Sequence, residues 1–141
     1  MISHYLTMIL ISLISGVLSG MWVWADKPTD IRLSMNDLYM VVLMTSFMIF
    51  FMALLNKDYA WLVGAAIVAG LTLYAIRTQA FVNRLHYFQG MIPHHSMAVL
   101  TSKRLLTNHS HELSEDEKMF VKQIVDTQER EIAWMKSRAQ T

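Results

Sequence analysis

The chain contains no cysteine. That excludes disulfides, zinc ribbons, thiolate nucleophiles and iron–sulfur clusters together. Net charge is nearly absent as well: twelve Lys and Arg against eleven Asp and Glu leave +1, which gives nucleic-acid binding no electrostatic basis. Neither H-E-x-x-H nor G-x-S-x-G occurs, and no Glu-x-x-His pair supports a di-iron bundle. An enzyme is therefore the lesser expectation, with a zinc hydrolase built on His94, His95 and Glu131 as its only form. There is no internal repeat and no low-complexity tract.

What the chain does have is apolar length. Its hydrophobic fraction is 54% over 141 residues, and its mean hydropathy is positive. Residues 5–25, 38–55 and 59–76 are three runs without a charge. A bilayer core of about 30 Å needs roughly 20 helical residues, so each run reads as a membrane span. Trp22, Trp24, Tyr39, Tyr59, Trp61, Tyr74 and Arg77 flank these runs as interfacial anchors do. A cleaved signal peptide is the rival reading of the first run. The start "MISHY" has no Lys or Arg and no small-residue cleavage site precedes Asp26, so the run is expected to stay as a permanent helix. No charge interrupts the spans, which argues against a proton or ion relay.

Gly16 and Gly20 stand four apart, with Ser12 one turn earlier, a spacing that lets helix backbones approach or merely tolerates lipid. The three residues Asn56, Lys57 and Asp58 predict a tight hairpin of the second and third spans. Met40, Met44, Met48 and Met52 recur every fourth residue and form a slowly winding stripe. It reads as flexible packing, or more boldly as a thioether ladder for Cu(I).

From Arg77 onward polarity returns. Helical periodicity runs from about Gln79 to Leu106, open to continuing the third span without a break. "TNHSHEL" is a turn. Ser114 with Glu117 forms a capping box for a last helix from about Glu115 to Arg138, whose stripe is Val121, Ile124, Val125, Gln128, Ile132 and Met135. Such a hairpin buries too little to stand alone, so it is expected to pack on the spans or on another copy. The domain division expected is 1–78 for the spans and 79–141 for the hairpin. The fold class is all-α.

With cysteine gone, twelve Met and six His supply all the soft and borderline metal-ligand chemistry. In "FQGMIPHHSMAVL", residues 88–100, helical spacing brings Met91, His94 and His95 to one side. Pro93 bends the helix and frees a carbonyl near residue 89. Gln128, Glu131 and Met135 follow i, i+3, i+7 spacing on the last helix. Imidazole with thioether suits copper, Cu(I) especially, with zinc a weaker fit. The plain alternative is a pair of histidines hydrogen-bonded between packed helices, with Met91 and Met135 as core filler. Glu131 and Gln128 are candidates for fixing the histidine tautomer. Met97 and His86 are alternative ligands. His109 and His111 read as solvated loop residues.

"FQGMIPHHSMAVL" followed some thirty residues later by "IVDTQEREIAWMK" resembles the two signature segments of the domain of unknown function 305 family. The resemblance covers about residues 80–139, with Met91, Ile92, Pro93, His94, His95, Ala98, Gln128, Glu131, Ile132 and Met135 on the family pattern. It implies a ferritin-like helical fold, a bacterial and mostly exported or membrane-tethered protein, and copper binding. A membrane-anchored subgroup places spans before one such hairpin. Thr101 stands where many members carry a methionine.

The combined expectation is a multi-pass protein of a bacterial inner membrane, binding copper for storage, buffering or delivery. Its direct ligands are Met91, His94, His95 and Met135, and retention falls below about pH 6 as histidine protonates. The alternative is a non-catalytic accessory subunit of a larger membrane complex. Expected partners are membrane lipid and a second copy or complex subunit, through the hairpin and span faces. Lys27, Arg32, Arg77 and Arg84 against Lys57 place the hairpin in the cytoplasm by charge, whereas the family's exported habit places it in the periplasm.

Overall fold

The computed structural model describes residues 2–139, and among these every regular element is helical. The α-helices are α1 (Ile2–Leu18), α2 (Met35–Leu55), α3 (Tyr59–Thr78), α4 (Arg84–Asn108) and α5 (Glu115–Ala139). Short 3-10 turns lie at Met21–Trp24, Pro28–Asp30 and Ser110–Glu112. The chain divides into two compact units. One holds residues 2–20 and Met35–Val82; the other holds Met21–Ser34 and residues 83–139.

Three segments are long and apolar enough to cross a membrane: Ser3–Trp24, whose last turn Met21–Trp24 belongs to the second unit, and Met35–Leu55 and Tyr59–Thr78 of the first. The α-helix of the first segment closes at Leu18, seven residues short of the expected end at Ala25, and tightens into the 3-10 turn. Lys57 takes the left-handed conformation (φ 56), and Asp58 N–H donates to the Ala53 carbonyl at 2.9 Å. These close α2 within three residues of α3, as the short connection predicts. Tyr5, Ile49, Ala53 and Ala65 form the core, with the Tyr5 ring stacked on Trp61 at 4.6 Å. Trp61 is thus a packing partner of α1 and only partly an interfacial anchor.

Of the two small-residue positions, Gly16 carries the close approach. A Cβ built there would stand 3.0 Å from both Met44 Cε and Val41 Cγ2. Gly20 falls beyond the end of α1. One turn earlier, the buried Ser12 hydroxyl reaches Met48 Sδ at 2.6 Å. Met44 and Met48 therefore touch α1 while remaining 39% and 40% exposed, and Met40 is 59% exposed. The four-residue repeat drifts about 40° per step, which turns one end of the stripe outward. Gly16→Ile is expected to cost about 1–3 kcal/mol by overpacking α1 against α2. A lowered thermal midpoint in detergent, with Gly20→Ala unchanged, is the measurement.

The third span does not run on into the hairpin. Gln79 (φ 50) and Phe81 (φ 62) are left-handed, and Ala80 N–H closes back on the Ala75 carbonyl at 3.0 Å. α4 then starts afresh, Asn83 Oδ1 accepting from His86 N–H at 2.9 Å as a side-chain N-cap. The helix continues through the buried Pro93 to Asn108. At the other arm, the capping box forms as its sequence dictates: Ser114 N–H donates to Glu117 Oε2 at 2.8 Å, and Glu117 N–H to Ser114 Oγ at 3.3 Å. Ile92, Val99, Ile132 and Met135 form the core between α4 and α5, flanked by Phe88, Met91 and Val125.

The domain division differs from 1–78 and 79–141. The connection between the first two spans, Met21–Ser34, folds with the hairpin. Two things hold it there: the apolar Met21–Trp24 turn packs on α4, and Asp30 is neutralised by the hairpin. Asp30 is 2% exposed, and its carboxylate is satisfied by Ser96 of α4, at 2.6 Å, and by an ion pair with Lys136 of α5.

Candidate metal site

A cavity of about 630 Å³ opens between α4 and α5. Met91 and His95 reach it from α4, and Glu131 and Met135 from α5; Phe88 and Trp134 form an aromatic wall. Those two rings meet edge to face at 5.7 Å, and the guanidinium groups of Arg84 and Arg138 lie over Phe88 and Trp134. Met135 is 5% exposed, so its thioether is held by packing, while Trp134 at 55% stands at the solvent edge.

His95 Nδ1 lies 3.0 Å from Glu131 Oε2, an ion-pair distance. Yet this nitrogen is buried and makes no aligned hydrogen bond. The carboxylate is close, but off the line a ring N–H needs. Gln128 Nε2 donates to the same Glu131 oxygen at 3.3 Å, which supplies the partner that glutamine's place on an apolar stripe demands. Burial, aided by the adjacent His94, lowers the His95 pKa below its ordinary 6.5, against the opposing pull of Glu131. The ring is therefore neutral at pH 7, the form that ligates metals.

Not all the expected ligands meet here. His94 is exposed and is absent from the cavity wall; its ring centroid lies 6.1 Å from that of His95, inclined at 59°. Consecutive helical residues point about 100° apart, and here that rotation carries His94 out to solvent while His95 stays on the wall. His86 sits in the first turn of α4, and neither it nor the half-buried Met97 lines the cavity. The residues brought together are Met91, His95 and Met135, with Glu131 beside them. Among the described residues no group of three His, Asp or Glu stands close enough to hold a metal ion.

The donor set tests whether copper fits. One buried imidazole nitrogen without an aligned partner and two thioethers on the same cavity are soft and borderline ligands, the set Cu(I) prefers and harder ions do not. The residues present fit it.

Sequence reasoning missed the charged clasp behind this cleft. Ser96 Oγ, which donates to Asp30, also accepts Asp26 N–H at 2.8 Å. Lys103 bridges Asp26 and Glu129 at 2.9 Å to each, and Lys27 approaches Glu129 at 3.5 Å. Burial by itself would raise the Asp30 pKa. The hydrogen bonds of Lys136 and Ser96 and the charge of Lys136 outweigh it, holding the carboxyl below its ordinary value. The hydrogen bonds of Glu129 and Asp26 raise Lys103 above the usual lysine range. The available signal was two aspartates four apart in a connection crossed by Pro28, with Lys136 next to the apolar stripe.

No family profile matches the chain, and no solved structure matches it. A curated relative is Uncharacterized protein L153 of Acanthamoeba polyphaga mimivirus, 43% identical over 106 residues that cover 72% of this chain and 70% of the viral protein. The chain belongs to the family of that viral protein. Membership in it rests on sequence identity over most of both chains and assigns no activity.

Proposed function

We propose that the protein is a multi-pass membrane protein that binds Cu(I) in the cleft of its C-terminal hairpin, for storage, buffering or delivery. The observation that carries this reading is the convergence of Met91, His95 and Met135 on one cavity, with His95 Nδ1 buried and without an aligned partner. Met91, His95 and Met135 would hold the ion. Soft ligands stabilise the cuprous state, and Phe88, Trp134 and the core residues limit water around it. The resemblance to the domain of unknown function 305 family, with its ferritin-like hairpin and its bacterial membrane setting, supports the same assignment.

Topology supports the three crossings. Residues 25–34 follow the first span and residues 83–139 follow the third, and both belong to one compact unit. They must therefore lie on one side of the bilayer, as they do when α1, α2 and α3 all cross. Retention of α1 is supported by its packing on α2 through Ser12 and Gly16.

Protein purified without added metal or chelator is expected to carry copper. Met91→Leu/Met135→Leu, which keeps the core volume, should lower the copper content severalfold without loss of helicity. Zinc or no metal in the wild type, or equal copper in wild type and variant by elemental analysis, would refute the assignment.

A further inference from the structure

We infer that Asp30, on the loop between the first two spans, is the positioning residue of the hairpin's metal site. The inference rests on the metal reading above and adds to it a part of the chain that touches neither the cleft nor its ligands.

The geometry is one of adjacency. Ser96 follows His95 in α4, and Lys136 follows Met135 in α5. Both of these neighbours are held by the same carboxylate: Ser96 Oγ donates to Asp30 Oδ2 at 2.6 Å, and Lys136 pairs with Asp30 Oδ1. Because successive helical residues point about 100° apart, a side chain that anchors Ser96 fixes the rotation of the turn that aims His95. The same holds for Lys136 and Met135. One buried anion thus sets the rotation of two helices at the level where their ligands meet.

Two further links make the loop a scaffold for this level of the hairpin. Asp26 N–H donates to the Ser96 hydroxyl, and Lys103 ties Asp26 to Glu129 across the helix pair. The α4–α5 core, built around Ile92, Val99, Ile132 and Met135, holds the pair together by non-directional packing, and these polar links add the directional contacts that fix rotation. The loop is also continuous with α1 on one side and α2 on the other.

The test uses the full chain in nanodiscs. Copper(I) affinity and dissociation rate are measured by transfer to a chromogenic Cu(I) chelator, with circular dichroism and thermal midpoint recorded on the same samples. The samples are wild type, His95→Ala, Ser96→Ala, and the double variant Asp30→Ala/Lys136→Met, which removes the buried pair together so that neither charge is left alone. Residues that orient metal ligands typically change affinity by about 10–100-fold when replaced. The double variant is expected to keep wild-type helicity and a midpoint close to that of wild type, yet lose copper about tenfold faster. Ser96→Ala, which spares the Asp30–Lys136 pair, should shift the rate in the same direction. A role in folding alone would restore stability and copper retention together. Wild-type release from a folded double variant, or wild-type release from Ser96→Ala, would overturn the inference while His95→Ala still reports a metal site. Failure of the wild type itself to hold copper would remove the metal reading and this inference with it.

Discussion

His95→Ala is expected to weaken Cu(I) binding by about 100-fold or more, whereas His94→Ala should stay within about threefold of wild type. The two residues are neighbours of the same type in one helix, so composition, charge and helix propensity change equally. Only placement differs. His95 lines the cleft and its Nδ1 is buried without an aligned partner, while His94 is exposed. Competition against a Cu(I)-specific chelator at pH 7 makes the comparison. The pH dependence follows from the same ring. Burial lowers its pKa below the ordinary 6.5, so retention is full at neutral pH and is lost as the pH falls through the lowered value, whereas the stability linkage spans the window from 6.5 down to it. The folded state binds fewer protons than the unfolded one in that window, so His95 also withdraws stability as the pH falls.

The second large effect concerns folding. Asp30→Ala is expected to destabilise the hairpin unit by about 3–5 kcal/mol, because it strands Lys136 against a partly buried site and leaves Ser96 without its acceptor. Lys136→Met added to Asp30→Ala should recover most of that loss, since removing both charges avoids the uncompensated one. Chemical unfolding followed by circular dichroism, in a detergent that preserves the spans, separates the two variants. The linkage with pH has a definite sign. Asp30 has a lowered folded pKa, so its contribution is complete above the ordinary carboxyl value of 3.8 and is lost as the pH falls from there through the folded value. Wild type should therefore show no stability change from this group between pH 7 and 5, and Asp30→Ala should be less stable than wild type throughout that range.

Much of this architecture is legible in the residues because it is local. Uncharged runs of bilayer length specify the three apolar helices, Ser114 and Glu117 specify the start of α5, and the stripe of Val121, Val125, Ile132 and Met135 specifies the buried face of α5. Met91, His95, Glu131 and Met135 could be named because helical spacing places each on an inward face. Spacing failed at His94 and His95, because positions three and four beyond Met91 both fit an inward face by period alone, and only the packing of α5 leaves His94 exposed. It also failed at Gln79 and Phe81, whose left-handed backbone breaks a stretch that periodicity alone reads as continuous. The clasp of Asp26, Asp30, Ser96, Lys103 and Lys136 was beyond reach for a different reason. Its partners are separated by 66 residues or more along the chain, and no local pattern announces which distant serine or lysine will neutralise a loop carboxylate.

The coordination of copper in the loaded protein tests the central claim most directly. X-ray absorption at the copper edge of the wild-type chain, loaded with one equivalent of Cu(I), is expected to show thioether sulfur together with a single imidazole nitrogen. The sulfur signal should fall in Met91→Leu/Met135→Leu. A shell of nitrogen and oxygen alone, two imidazoles of equal weight, or sulfur unchanged in that variant would contradict the assignment of Met91, His95 and Met135.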